Sequence, residues 1–104
     1  PTDADAETTV EPYRDELTAS DPSTRAQAVE ELAAAVADDP VPEQAAVDAL
    51  VERLDDDDPT VRSAACESLG SLGVERAEPR LKDLRIDPDP EVSRAATRAL
   101  RNFE

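Results

Sequence analysis

Histidine, tryptophan and methionine are missing from this chain of 104 residues, while cysteine and lysine occur once and glycine twice. Without histidine there is no imidazole to serve as a general base near neutral pH or as the commonest metal ligand. Gly70 and Gly73 are too few for a glycine-rich phosphate loop, and seryl or threonyl nucleophiles have no histidine to activate them. A lone Cys66 excludes an internal disulfide and fits a reducing compartment. No apolar run approaches the roughly 18 residues needed to span a bilayer, and no secretory signal pattern opens the chain. The expectation is a cytoplasmic protein, off the membrane, with no catalysis, cofactor or metal of its own.

What is present is acid. The chain carries 26 Asp plus Glu against 11 Lys plus Arg, a formal charge of -15, and ten of the eleven basic residues are Arg. Affinity for phosphate backbones comes from Lys and Arg releasing counterions, so a nucleic-acid partner is not expected. High charge with few aromatics is also a signature of disorder. Against that stands the ordered placement of nine Leu, nine Val and 18 Ala, which calls for a core of small side chains. An acidic, Lys-poor, Ala-rich composition resembles that of proteins from salt-in halophiles, archaeal ones among them. At molar salt the Debye length is about 3 Å, so carboxylates that repel at low ionic strength are screened and stability should depend on salt. The other reading of the charge is a surface evolved to dock a basic partner.

Three stretches beginning Asp-Pro align: DPSTRAQAVEEL from Asp21, DPTVRSAACESL from Asp58 and DPEVSRAATRAL from Asp89. Leu32, Leu69 and Leu100 share one slot, Ala28, Ala65 and Ala96 another, and Thr24, Val61 and Val92 a third. In each, Asp at the N-cap can accept from free first-turn N–H groups, and Pro at the next position has no N–H to leave unsatisfied. Helical spacing of the apolar residues predicts helices over about 22–37, 59–71 and 90–103. Between them run shorter amphipathic segments. Val47, Leu50, Val51 and Leu54 mark a helix over about 42–55 opened by Pro42, Leu81 and Leu84 mark a weaker one after Pro79, and Val10, Tyr13 and Leu17 mark a third. Gly70 and Gly73 sit where the second Asp-Pro helix should stop, as a left-handed C-terminal cap would. No strand alternation appears. The expected organisation is a mobile arm over 1–8 and one domain over 9–104, in helix pairs at about 9–37, 38–73 and 74–104, close to the smallest number a stable stack needs.

These residues resemble HEAT repeats, in the short variety named after the phycobilisome lyases, whose pattern runs approximately Asp-Pro-x-Val-Arg-x-x-Ala-Ala-x-x-Leu-Gly. DPTVRSAACESLG from Asp58 to Gly70 matches nearly every position. From Asp89 the chain keeps Val92, Ala95, Ala96 and Leu100 but has Ser93 for the Arg, with Arg94 one place later; from Asp21 it keeps Arg25 but has Thr24 for Val. The resemblance implies an all-α fold, an α-solenoid of stacked antiparallel helix pairs with about six helices. It also implies a ladder between repeats, with Asp21, Pro22, Arg25, Asp58, Pro59, Arg62, Asp89, Pro90 and Arg94 as its signature and Asp21 with Arg25 and Asp58 with Arg62 as rungs.

Candidate chemistry is sparse. The run Asp55 to Asp58 suggests divalent cations, but the alternating ligands, central Gly and distal Glu of an EF-hand loop are missing and one of the four is needed as a cap. Cys66 reads as a small semi-buried filler, because free Cys packs as a small hydrophobe. What remains is surface. If the second helices line the concave side, as in a solenoid, Gln44, Asp48 and Glu52 point away from the Val47 to Leu54 stripe, with Arg80 and Asp83 as counterparts on the next second helix. This face is the candidate partner-binding surface of a monomeric interaction module or scaffold with an unidentified protein partner. A regulatory or chaperone-like subunit assisting an enzyme is the alternative. A nucleic-acid-processing role would require the Arg residues to cluster on the concave face.

Overall fold

The computed structural model describes residues 10–39 and 44–104, so the arm expected over 1–8 and the helix-opening Pro42 lie outside the described residues. A 3₁₀ turn at Glu11–Tyr13 runs into α1 (Arg14–Leu17), followed by α2 (Pro22–Ala37) and α3 (Gln44–Glu52), which a 3₁₀ turn at Arg53–Asp55 extends. Then come α4 (Pro59–Leu72), a 3₁₀ turn at Glu75–Ala77 leading into α5 (Glu78–Leu84), and α6 (Pro90–Arg101). Among the described residues there is no strand.

The long helices α2, α4 and α6 all begin at Pro after an extended Asp, and they pack side by side in that order. Short helices pack against them as a second layer. This is the all-α stack of antiparallel helix pairs expected from the repeats. The caps differ in detail. The Asp58 side chain accepts from the Thr60 N–H at 2.8 Å, and Asp89 accepts from the N–H groups of Glu91 and Val92 at 2.9 and 3.3 Å. Asp21 has the same backbone but caps no N–H; its carboxylate accepts from the Thr24 hydroxyl at 2.9 Å instead.

The core follows the slots. Leu32, Leu50, Leu54, Leu69 and Leu81 are fully buried, as are Val29, Val61 and Val92. Ala28, Ala65 and Ala96 are 1%, 0% and 0% exposed, so their small size sets how closely the helices approach. Gly70 corrects the sequence-based expectation. It is not part of the cap but lies buried within α4, where a Cβ would meet the Ala99 Cβ at 2.5 Å and its Cα at 2.7 Å. Gly73 alone is the cap, left-handed at φ 67°, with its N–H on the Gly70 carbonyl.

Candidate interaction surface

The ladder exists, but its rungs are not the ones read from the sequence. Arg25 sends Nε and Nη2 to the two carboxylate oxygens of Asp56, each at 2.9 Å, and Nη1 to the Ala19 carbonyl at 2.7 Å. Arg62 repeats the pattern with Asp87, at 3.1 and 3.2 Å, and its Nη1 reaches the Asp56 carbonyl at 2.8 Å. The acid therefore comes from the next repeat, two residues before its capping Asp. It also accepts that Asp's own N–H, Asp58 on Asp56 at 3.0 Å and Asp89 on Asp87 at 2.9 Å. Asp21 and Asp58 cannot serve as rungs because each is turned into the first turn of its own helix. Arg94 forms no rung: it lies exposed beside Glu91 at 3.4 Å, and Ser93 holds the slot of Arg25 and Arg62. An Asp-x-Asp-Pro doublet at Asp56 and Asp87, replaced by Ala19 in the first stretch, is the sequence signal for this arrangement.

Burial would by itself raise the Asp56 carboxyl, yet hydrogen bonds from Arg25 and the Asp58 amide, with the charges of Arg25 and Arg53, hold it below the ordinary carboxylate value. Arg53 also donates to the Leu17 carbonyl at 2.8 Å, tying the end of α1 to this cluster. Within the acidic run Asp56 is buried in the ladder, while Asp57 is 96% exposed. Asp55 pairs with Arg80, Asp56 and Asp57 face Arg25, and Asp58 is a cap. Among the described residues no group of three or more acidic or cysteine side chains is placed to hold a metal ion. Cys66 is fully buried rather than semi-buried, and burial, with the charges of Asp87 and Glu67, pushes its thiol up to about 12. A thiol so raised is almost entirely protonated at neutral pH and a poor nucleophile.

The five residues read as a binding face lie on α3 and α5. Gln44, Asp48, Glu52 and Asp83 are exposed and Arg80 is half-buried. Two of them are engaged across the layer: Asp48 pairs with Arg76, and Arg80 with Asp55. These ion pairs join consecutive short-helix segments, so part of the face is a seam, leaving Gln44, Glu52 and Asp83 as its open positions.

A different surface stands out between the long helices. The C-terminal halves of α2 and α4 border a groove of about 310 Å³, floored by Ala33, Ala34 and Ala37 and flanked by Glu30, Glu67 and Ser68. At the corresponding place between α4 and α6 the helices close. Gly70 meets Ala99, Arg98 pairs with Glu67 at 2.8 Å, and Asn102 donates to the Gly70 carbonyl at 3.0 Å. In the first seam Ala33 and Ser68 occupy the slots of Gly70 and Ala99. Each carries more bulk than its counterpart, and both border the groove. Glu30 and Ala34 are exposed helix positions like any other in the sequence, so no local pattern marks this groove.

The outer face of α6 is basic. Arg94, Arg98 and Arg101 stand there at helical spacing around a shallow depression of about 250 Å³. The other cations are dispersed: Arg25 and Arg62 are in the ladder, Arg76 and Arg80 in the short-helix layer.

A family model for HEAT repeats matches residues 10–101 of the chain. No curated protein matches it. Among the described residues no helix is long and apolar enough to cross a membrane.

Proposed function

The chain belongs to the HEAT-repeat family, and on that premise we propose that it is a non-catalytic protein–protein interaction scaffold whose binding surface is the groove between α2 and α4. HEAT repeats in general serve as interaction scaffolds. The observation that carries the assignment to this surface is the contrast between the seams: equivalent slots close one and leave about 310 Å³ open in the other. The short-helix face with Gln44, Asp48, Glu52, Arg80 and Asp83 is the second candidate, favoured by its acidic open positions. The test compares two variants in capture from native extract. Ala34→Trp fills the groove from an exposed position, and Glu52→Arg with Asp83→Arg reverses the short-helix face. A partner lost with the first variant and kept with the second supports the groove; the reverse result transfers the function to α3 and α5. If the captured partner is an enzyme whose activity rises in the complex, the scaffold is a regulatory subunit of the lyase-type kind.

The acidic composition supports a home in a salt-rich cytoplasm, with the carboxylates serving solubility. Helix content measured by circular dichroism is expected to rise steeply between low salt and molar KCl. A flat profile removes the halophile reading and leaves the acids to partner binding.

A further inference from the structure

We propose that the groove between α2 and α4 receives an arginine-bearing basic helix of a partner protein, with a guanidinium directed at Glu30 and at the Glu67 oxygen that Arg98 leaves open. This rests on the groove being the interaction surface. The molecule contains its own template for the occupant. In the second seam Arg98 of α6 faces Glu67 across the helices at 2.8 Å, whereas the same slot of α2 holds Glu30, so the first seam sets a carboxylate where the second has a guanidinium. Glu30 is exposed, and among the described residues it has neither an ion pair nor a hydrogen bond from its side chain.

Helix ends point the same way. α2 and α4 run parallel, their N-terminal ends joined by Arg25 and Asp56, so both C-termini border the groove. A helix C-terminus carries roughly half a negative charge and favours a cation in its last turn. Neither α2 nor α4 has a basic residue there, while α6 has Arg98 and Arg101. Asp38 follows α2 and adds to the negative potential. The alanine floor suits the methylene stem of a long basic side chain, whose charged end stays at the carboxylates. Arginine fits better than lysine because its planar fork can bridge two acceptors.

The probe is a synthetic alanine-based helical peptide with three Arg spaced as Arg94, Arg98 and Arg101 are, and a control with Gln in their place. Both are titrated into isotope-labelled protein at the lowest salt that keeps full helicity, with amide shifts as the readout. Saturable shifts are expected at Ala33, Ala34, Ala37, Ser68 and Ser71 with the Arg peptide and not with the Gln control. Glu30→Gln should weaken binding about fivefold, as loss of one exposed charge pair does. Glu30→Arg offers Glu67 a guanidinium from within, and it should abolish binding while the thermal midpoint holds or rises. Shifts confined to α3 and α5, or equal binding by wild type and Glu30→Arg, overturn the proposal. If a native partner is lost with Ala34→Trp but kept with Glu30→Arg, the groove stands as the binding surface and the basic occupant falls.

Discussion

The two seams between long helices start alike and end differently. At their N-terminal ends both are joined by an arginine fork on a buried carboxylate, Arg25 on Asp56 and Arg62 on Asp87. At their C-terminal ends the α4–α6 seam closes on Gly70 against Ala99, while the α2–α4 seam stays open over Ala33. The ladder therefore sets the register of the stack without setting its closure. In the closed seam, closure requires small residues in two slots, Gly70 and Ala99. The two joints of one seam are thus independent, and the difference between the seams lies at the C-terminal end of the long helices.

The sharpest way to break this contrast is to give the closed seam the bulk of the open one. Gly70→Val puts a branched side chain where even a Cβ would meet the Ala99 backbone at 2.7 Å, and neither helix can yield without parting. Overpacking of this kind costs about 1–3 kcal/mol, and separating α6 also exposes Ala95 and Ala99, so the loss is expected at the upper end, about 3 kcal/mol. Ala33, in the same slot of α2, is only 8% exposed but borders the groove, so Ala33→Val should cost less than Gly70→Val, about 1 kcal/mol from mild overpacking and helix propensity. Urea midpoints of the two variants give the comparison. Equal losses would mean that the seams are packed alike.

How much of this was legible in the sequence depends on the scale of the interaction. Helix starts, the alanine slots and the pairing of long with short helices follow from local chemistry, because Asp-Pro and an i, i+3, i+4 stripe act within one helix. The rungs are not legible from the capping Asp, because the acid that forms each one stands two residues before it. Asp56 and Asp87 lie outside any helix, and their role exists only once an arginine 31 or 25 residues earlier is brought to them. The role of Gly70 was hidden for a related reason: a glycine near a helix end looks like a stop signal until the neighbouring helix is present. The groove leaves no local trace, since it is formed only by α2 and α4 together.

A second test weighs the two rungs against each other. Asp56 holds Arg25 by both oxygens, stands 3.5 Å from Arg53 and takes the Asp58 N–H. Asp87 holds one arginine fork and one N–H. Removing one partner of a buried pair costs about 3–5 kcal/mol, less here because both arginines keep carbonyl acceptors. Asp56→Ala is expected to cost about 2–3 kcal/mol and Asp87→Ala about 1–2 kcal/mol by the same measurement. The pH dependence has the same origin. The native state holds Asp56 below its ordinary value of 3.8, so its contribution is present above that value and is lost as pH falls through the lower native one. Wild type should lose stability below about pH 4 more steeply than Asp56→Asn at the same salt. Parallel acid curves would show that the fork contributes geometry and little free energy.

The smallest expected effect separates the two acceptors of each rung. In the inner rung Arg62 uses a carboxylate ahead of it, on Asp87, and a carbonyl behind it, on Asp56. Ser93 holds the equivalent slot in α6, and its hydroxyl turns back to the Pro90 carbonyl at 3.1 Å. Ser93→Arg supplies a guanidinium whose Nη1 can reach the Asp87 carbonyl, as that of Arg62 reaches Asp56. It meets no described carboxylate in the place that Asp87 takes for Arg62. If the fork on the carboxylate carries the rung, this half-rung should change stability by no more than about 0.5 kcal/mol, the scale of an exposed polar contact. A gain above about 1 kcal/mol would instead assign the greater part to the carbonyl contact. That outcome would also shift the weight of the first rung, where Arg25 reaches the carbonyls of Ala19 and Ser20, away from its fork on Asp56.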